Sequence, residues 1–235
     1  MSLPDGVDRI NPTARTAYKY EGPGSGAGNT LVDWIEKLTS VRLDTAHRYL
    51  DVGFGEGLAL REASRRRCTR VAGVDLAQLS IDAIVNAQPD EDNTPIEIEF
   101  LDVSEDALPY EDNAFNVVTC TETIEHLANP LFAVSEMKRV LEPDGLLVMS
   151  FPRPEDNLGY DGGQHAHVYP GFLEQESYEI FMKQMYFHSK RHMNNGSSAW
   201  YAWRNYKGPG IVDVFRMIAG NYTEEQLYGM LPIDA

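Results

Sequence analysis

A chain of 235 residues that is 43% hydrophobic can bury one sizeable α/β core. Its formal net charge of −16 and pI near 4.7 supply no basic stripe for neutralising phosphates, so nucleic acid is not an expected partner. Cys68 and Cys120 suit reduced thiols better than a disulfide framework, and no apolar run approaches the ~18–20 residues of a membrane span, so a cytoplasmic protein with no membrane partner is expected.

Residues 1–27 carry Pro4, Pro12 and Pro23 among closely spaced glycines, which argues against helix and suggests an N-terminal lid-like segment. Within it, Tyr18, Lys19, Tyr20 and Glu21 form an aromatic-polar cluster of the kind that folds over a ligand; plain surface decoration fits those residues equally well. From Asn29 or Thr30 as cap, Leu31, Trp34, Ile35 and Leu38 mark one apolar helix stripe.

The next stretch organises the chain. Residues 48–52 are a short apolar run containing Asp51, followed by Gly53-Phe54-Gly55-Glu56-Gly57 and a helix-compatible segment over 58–67. Glycines between a strand and a helix let a ligand approach the main chain closely. A dinucleotide fingerprint, G-x-G-x-x-G, needs its third glycine at position 58, which is Leu58. Arg65, Arg66, Arg67 and Arg70 complement the carboxyl end of that helix and need no polyanion to explain them. Residues 71–76 then form a second apolar strand ending in Asp75, about where Rossmann-like folds place an acid for ribose hydroxyls.

The spacing G-x-G-x-G, with Asp51 two residues ahead, resembles motif I of the class I S-adenosylmethionine-dependent methyltransferases. Further along, a helix is expected over 80–87, a strand over 96–100, another over 114–120, a helix over 131–141, a turn at Pro143-Asp144-Gly145 and a strand over 146–151. Strands alternating with helices imply a doubly wound parallel sheet. The segments Leu108-Pro109-Tyr110, Asn113-Ala114-Phe115, Glu125-His126-Leu127 and Arg139-Val140-Leu141-Glu142-Pro143-Asp144-Gly145 are similar to the central block of small-molecule methyltransferases of the ubiquinone-biosynthesis type. The resemblance spans about residues 30–151. It is specific for cofactor and fold, not for substrate.

Beyond residue 151, a long loop over 152–170 carries His165 and His167, a helix is expected over 172–184, and strands over 186–193 and 199–206 flank Asn194-Asn195-Gly196-Ser197 as a hairpin. The tail adds helices near 211–219 and 224–230. The expected architecture is a Rossmann-like, doubly wound, seven-stranded α/β sheet, mostly parallel with an antiparallel C-terminal hairpin strand. The domain limits are 28–207, flanked by the 1–27 segment and a helical tail over 208–235.

The resemblance implies S-adenosyl-L-methionine as cofactor, S-adenosyl-L-homocysteine as product, and a small molecule offering oxygen or nitrogen as acceptor. It places Tyr20, Asp51, Gly53, Phe54, Gly55, Gly57, Asp75, Leu76, Asp102, Val103 and Thr121 at the cofactor. Asp106 competes with Asp102, which is favoured because it directly follows the third strand. His126, His165 and His167 are the candidates for taking the acceptor's proton. His-x-His with a third histidine also suggests a metal, but the loop lacks a ligand-spacing signature, so none is expected. Methylation of protein or RNA, or cofactor binding without catalysis in an interaction module, are the alternatives. Nothing in the sequence speaks to oligomeric state.

Overall fold

A computed structural model describes residues 31–85, 92–152, 175–195 and 198–206. In chain order these form α1 (Leu31–Thr39), β1 (Arg48–Val52), α2 (Leu58–Arg65), β2 (Arg70–Asp75), α3 (Gln78–Val85), β3 (Ile96–Phe100), β4 (Phe115–Thr121), a 3₁₀ turn (Ile124–His126), α4 (Pro130–Val140), β5 (Leu141–Pro152), α5 (Gln175–Gln184), β6 (Phe187–Asn195) and β7 (Ser198–Asn205). Several expectations lie outside the described residues: the 1–27 segment with Tyr20, the loop with His165 and His167, Gly196-Ser197 of the hairpin, and the helices beyond 208.

The strands make one seven-stranded sheet in the order β3-β2-β1-β4-β5-β7-β6. The first five are parallel, and β7 runs antiparallel to both β5 and β6, as expected from the sequence. Apolar residues at successive strand positions face opposite sides, so each face builds its own core. Val32, Ile35 and Leu38 of α1, with Leu60 and Ala63 of α2, cover Tyr49, Val71, Val117, Val148 and Trp200 on one face. Trp34 of α1 stacks on Trp200 with ring centroids 6.0 Å apart. On the other face, Val134 and Met137 of α4 and Tyr178 and Met182 of α5 cover Leu50, Val118, Leu147, Met149 and Trp203.

Two of the boundary differences from expectation have a local reason. The helix expected from residue 80 starts at Gln78, because the Asp75 carboxylate accepts a hydrogen bond from Ala77 N at 2.7 Å and turns the chain early. The fifth strand starts at Leu141 rather than 146. Phe115 pairs with Leu141 but Val117 with Leu146, so residues 142–145 bulge from the ladder, with Asp144 at φ 65. The expected turn is therefore present as a bulge within a longer strand. At the far end of that strand's neighbour, Lys138 Nζ donates to Asn205 Oδ1 and Tyr206 O, while Asn205 Nδ2 donates to Leu141 O, tying α4 to β7. No helix among the described residues is long and apolar enough to cross a membrane.

Candidate functional site

From β1 the chain crosses to β2 and β3 on one side, while β4 and β5 lie on the other, so the carboxyl ends of β1 and β4 diverge into a crevice. Open α/β sheets bind ligands at such a switch point. The glycine loop lies there. Gly53, Gly55 and Gly57 all have positive φ, at 75, 53 and 67. Two of them are also enclosed: a Cβ on Gly53 would come within 2.3 Å of Thr123 Oγ1, and one on Gly57 within 2.0 Å of Ile84 Cδ1. Among the described residues, a Cβ on Gly55 would meet nothing within 4 Å. The middle glycine therefore borders open space among the described residues, which leaves its backbone accessible. Phe54 points the other way, buried against the α2 face of the sheet. Gly57 caps α2 without a side-chain acceptor, leaving first-turn N–H groups for a ligand.

These contacts give contrasting expectations for two substitutions. Gly57→Ala should destabilise the protein by about 1–3 kcal/mol, from backbone strain and the collision with Ile84. Gly55→Ala should carry only the strain, about 1 kcal/mol, yet weaken ligand binding more than its stability loss explains. Thermal melts with and without ligand separate the two effects.

Asp75 ends β2 beside this loop. Its Oδ2 accepts a hydrogen bond from Gly55 N at 2.9 Å, and its Oδ1 accepts from Ala77 N at 2.7 Å. The sequence alone suggests only a ribose acceptor; the structure adds a clamp between the second strand and the loop's open position. Each carboxylate oxygen keeps capacity for a further donor. Leu76 follows, half-buried. Leu101 N donates to Asp75 O at 3.1 Å, which brings the end of β3 alongside. There Asp102 is half-buried, accepting from Ser104 N at 2.9 Å, and Val103 is buried, whereas Asp106 is exposed.

Asp51 is buried within β1 rather than in the loop. Tyr49 Oη donates to Thr119 Oγ1 at 2.7 Å, and Thr119 Oγ1 donates to Asp51 Oδ1 at 2.6 Å. Burial raises the Asp51 carboxyl to about 7, opposed by the Thr119 hydrogen bond and reinforced by the charge of Asp75. A carboxyl with a folded pKa above its unfolded one holds its proton more tightly when folded. Its stabilising contribution is complete below the unfolded value, ~3.9, and is lost as pH rises through the folded value. Asp51→Asn keeps an acceptor for Thr119 and removes the charge. It should raise the melting temperature of the ligand-free protein at pH 8, by up to about 4 kcal/mol in stability, with the gain shrinking towards pH 4. A gain independent of pH would contradict this.

Across the crevice, β4 ends at Thr121, whose carbonyl accepts from Thr123 Oγ1 at 2.9 Å. The 3₁₀ turn carries His126, with its side chain 22% exposed and Nε2 3.7 Å from Oε1 of buried Glu125. Among the described residues, no group of three or more His, Cys, Asp and Glu side chains could hold a metal ion. Thr119, Glu122, Thr123 and Ser150 lie at or behind the carboxyl end of β4 and are candidates that sequence reasoning missed. The polar run Thr121-Glu122-Thr123 at a strand's carboxyl end signals Glu122 and Thr123 alone.

A family model described as a methyltransferase domain matches residues 50–149, from β1 to β5. Together with a parallel sheet closed by an antiparallel seventh strand inserted between the fifth and sixth, this decides the architecture. The fold is that of the class I S-adenosylmethionine-dependent methyltransferases. The chain is 36% identical over 118 residues to a ubiquinone biosynthesis O-methyltransferase of Paracidovorax citrulli, covering 50% of this chain and 47% of that one. It is 34% identical over 134 residues to one of Neisseria meningitidis serogroup A, covering 54% of each. The chain thus spans about half the length of the curated relatives it matches. Among solved structures, a SAM-dependent methyltransferase from Aquifex aeolicus superposes with a TM-score of 0.54 at 18% identity, covering 69% of this chain and 84% of that one. The [4+2]-cyclase SpnF superposes with a TM-score of 0.59 at 19% identity, covering 76% of this chain and 80% of that one. The methyltransferase fold is therefore shared with a protein named for a different reaction.

Proposed function

We propose that the protein is an S-adenosylmethionine-dependent methyltransferase acting on an oxygen or nitrogen of a small-molecule acceptor. One observation carries the reading: a carboxylate at the end of β2, Asp75, hydrogen-bonds the backbone of Gly55, the loop position that borders open space. That juxtaposition fits a ligand with vicinal hydroxyls beside a charged group that needs backbone N–H donors. In this reading the glycine loop and the first turn of α2 hold the amino-acid end, Asp75 the ribose, and Leu76, Asp102 and Val103 the adenine. Asp51 lies behind the loop, Thr121 borders the crevice from β4, and Tyr20 is the covering residue we propose from the N-terminal segment.

S-Adenosylmethionine, when bound, supplies an electrophilic methyl carbon on a sulfonium. The chain's own work is alignment: holding reactants in near-attack geometry lowers such barriers by ~7–11 kcal/mol. An O–H or N–H nucleophile must also lose its proton, and we assign that task to His126, which follows the strand bordering the crevice. His165 and His167 remain further candidates in the same role. The names of the curated relatives favour a hydroxyl acceptor.

The competing reading is cofactor binding without methyl transfer, favoured by the fold's occurrence in a cyclase. A screen of small hydroxyl and amine compounds, scoring formation of S-adenosylhomocysteine, separates the two. Product formed with a small acceptor supports the methyltransferase; cofactor binding with no product across the screen supports the alternative. Protein and RNA substrates belong in the same screen as controls, and the net charge of −16 disfavours RNA.

A further inference from the structure

Six described non-glycine residues have positive φ, and five are explained by their place in the chain. Ser40, Arg67 and Tyr186 lie just past the ends of α1, α2 and α5, where a left-handed residue is usual. Asn113 and Asp144 are turn residues whose short side chains tolerate that conformation. Glu122, at φ 48, is neither. Strain of this kind persists only where the surroundings over-determine it, and it concentrates at functional sites.

The surroundings of Glu122 do over-determine it. Its N–H donates to Ser150 O at 2.9 Å, and Ser150 Oγ donates back to Glu122 Oε1 at 2.8 Å. Ser198, at the start of β7, is a second side-chain donor to the carboxylate. Serines from two neighbouring strands thus fix a half-buried carboxylate at the carboxyl edge of the sheet. The same residue adjoins Thr123, which packs under Gly53, so the carboxylate lies one residue from the glycine loop's contact. Burial pushes it above the usual carboxylate range, against the pull of the two serines. A carboxylate accepts about four hydrogen bonds, so acceptor capacity remains.

We propose that Glu122 binds the methyl acceptor, holding its O–H or N–H donor at the attacking position. The acceptor class then follows: a neutral or cationic hydroxyl or amine, with carboxylates and other anions repelled. This rests on the methyltransferase reading above and adds a specificity-determining residue to it. Glu122 orients the attacking group, a role separate from the proton transfer assigned to His126.

The test needs no knowledge of the acceptor. Sinefungin is an analogue of S-adenosylmethionine in which a primary ammonium projects where the methyl group would. A carboxylate beside the methyl position pairs with that ammonium and ignores S-adenosylhomocysteine, which lacks it. Calorimetry should show wild-type protein binding sinefungin at least about 10-fold more tightly than S-adenosylhomocysteine. In Glu122→Gln, sinefungin affinity should fall by about 10–100-fold while S-adenosylhomocysteine affinity stays nearly unchanged. If that variant fails to fold, Ser150→Ala should show a smaller loss confined to sinefungin. Equal affinity changes for both ligands, or none, would overturn the assignment of Glu122. Wild-type protein that binds neither ligand would instead overturn the methyltransferase reading, and this proposal with it.

Discussion

His126→Ala is expected to lower turnover by about 10²–10⁴-fold, the range usual for loss of a general base, with cofactor affinity nearly unchanged. His126 lies on the 3₁₀ turn that follows β4, on the far side of the crevice from Asp75 and the end of β3. Removing it therefore leaves the residues assigned to ribose and adenine intact. Its side chain is 22% exposed, so an acceptor can reach it, and the buried Glu125 carboxylate lies 3.7 Å from Nε2. A carboxylate at that distance steadies an imidazolium as the proton arrives. The comparison requires turnover with an identified acceptor, measured beside cofactor binding. Near-wild-type turnover would make His126 a turn residue and leave proton removal to another group. Loss of cofactor binding would put the acceptor pocket elsewhere.

Asp75→Ala is expected to reduce S-adenosylmethionine affinity by at least about 10²-fold, since charge-assisted hydrogen bonds contribute about 1.5–3 kcal/mol each. Read from sequence, that is the whole effect, because only hydroxyl acceptors are lost. The structure adds a second consequence. The carboxylate also accepts from Gly55 N and Ala77 N, so its loss leaves two backbone donors without their partner. The ligand-free protein should lose about 1–3 kcal/mol of stability as well. Asp75→Asn, which keeps one acceptor oxygen, should fall between the variant and the wild type in both measurements. Unchanged cofactor affinity in Asp75→Ala would move the ribose site away from β2.

The glycine loop and Asp75 were legible because their signal is local: three glycines at alternate positions, then an acid at the next strand end. The sheet was legible for a similar reason, since alternating apolar strands and helices admit few topologies. What was not legible is side-chain partnership across the fold. The bond from Asp75 to Gly55 joins residues 20 apart, and that from Thr119 to Asp51 joins residues 68 apart. Neither leaves a periodic trace. Glu122 was hidden for another reason: it sits in a Thr-Glu-Thr run that reads as an ordinary polar strand end, and only its φ and its serine partners set it apart. Element limits slipped where a side chain or bulge intervened, at Gln78 through the Asp75 cap and at Leu141 through the 142–145 bulge.

The crevice between β1 and β4 is expected to take S-adenosylmethionine rather than a dinucleotide. The most direct test is calorimetric titration of the purified protein with S-adenosylmethionine, S-adenosylhomocysteine, NAD⁺ and NADH. Binding in the micromolar range is expected for one or both of the first pair, with no heat of binding for the last two. Leu58 stands where a dinucleotide loop has its third glycine, and Asp75 already clamps the loop in its observed shape. Tight binding of NAD⁺ or NADH, with none of S-adenosylmethionine or S-adenosylhomocysteine, would contradict this expectation.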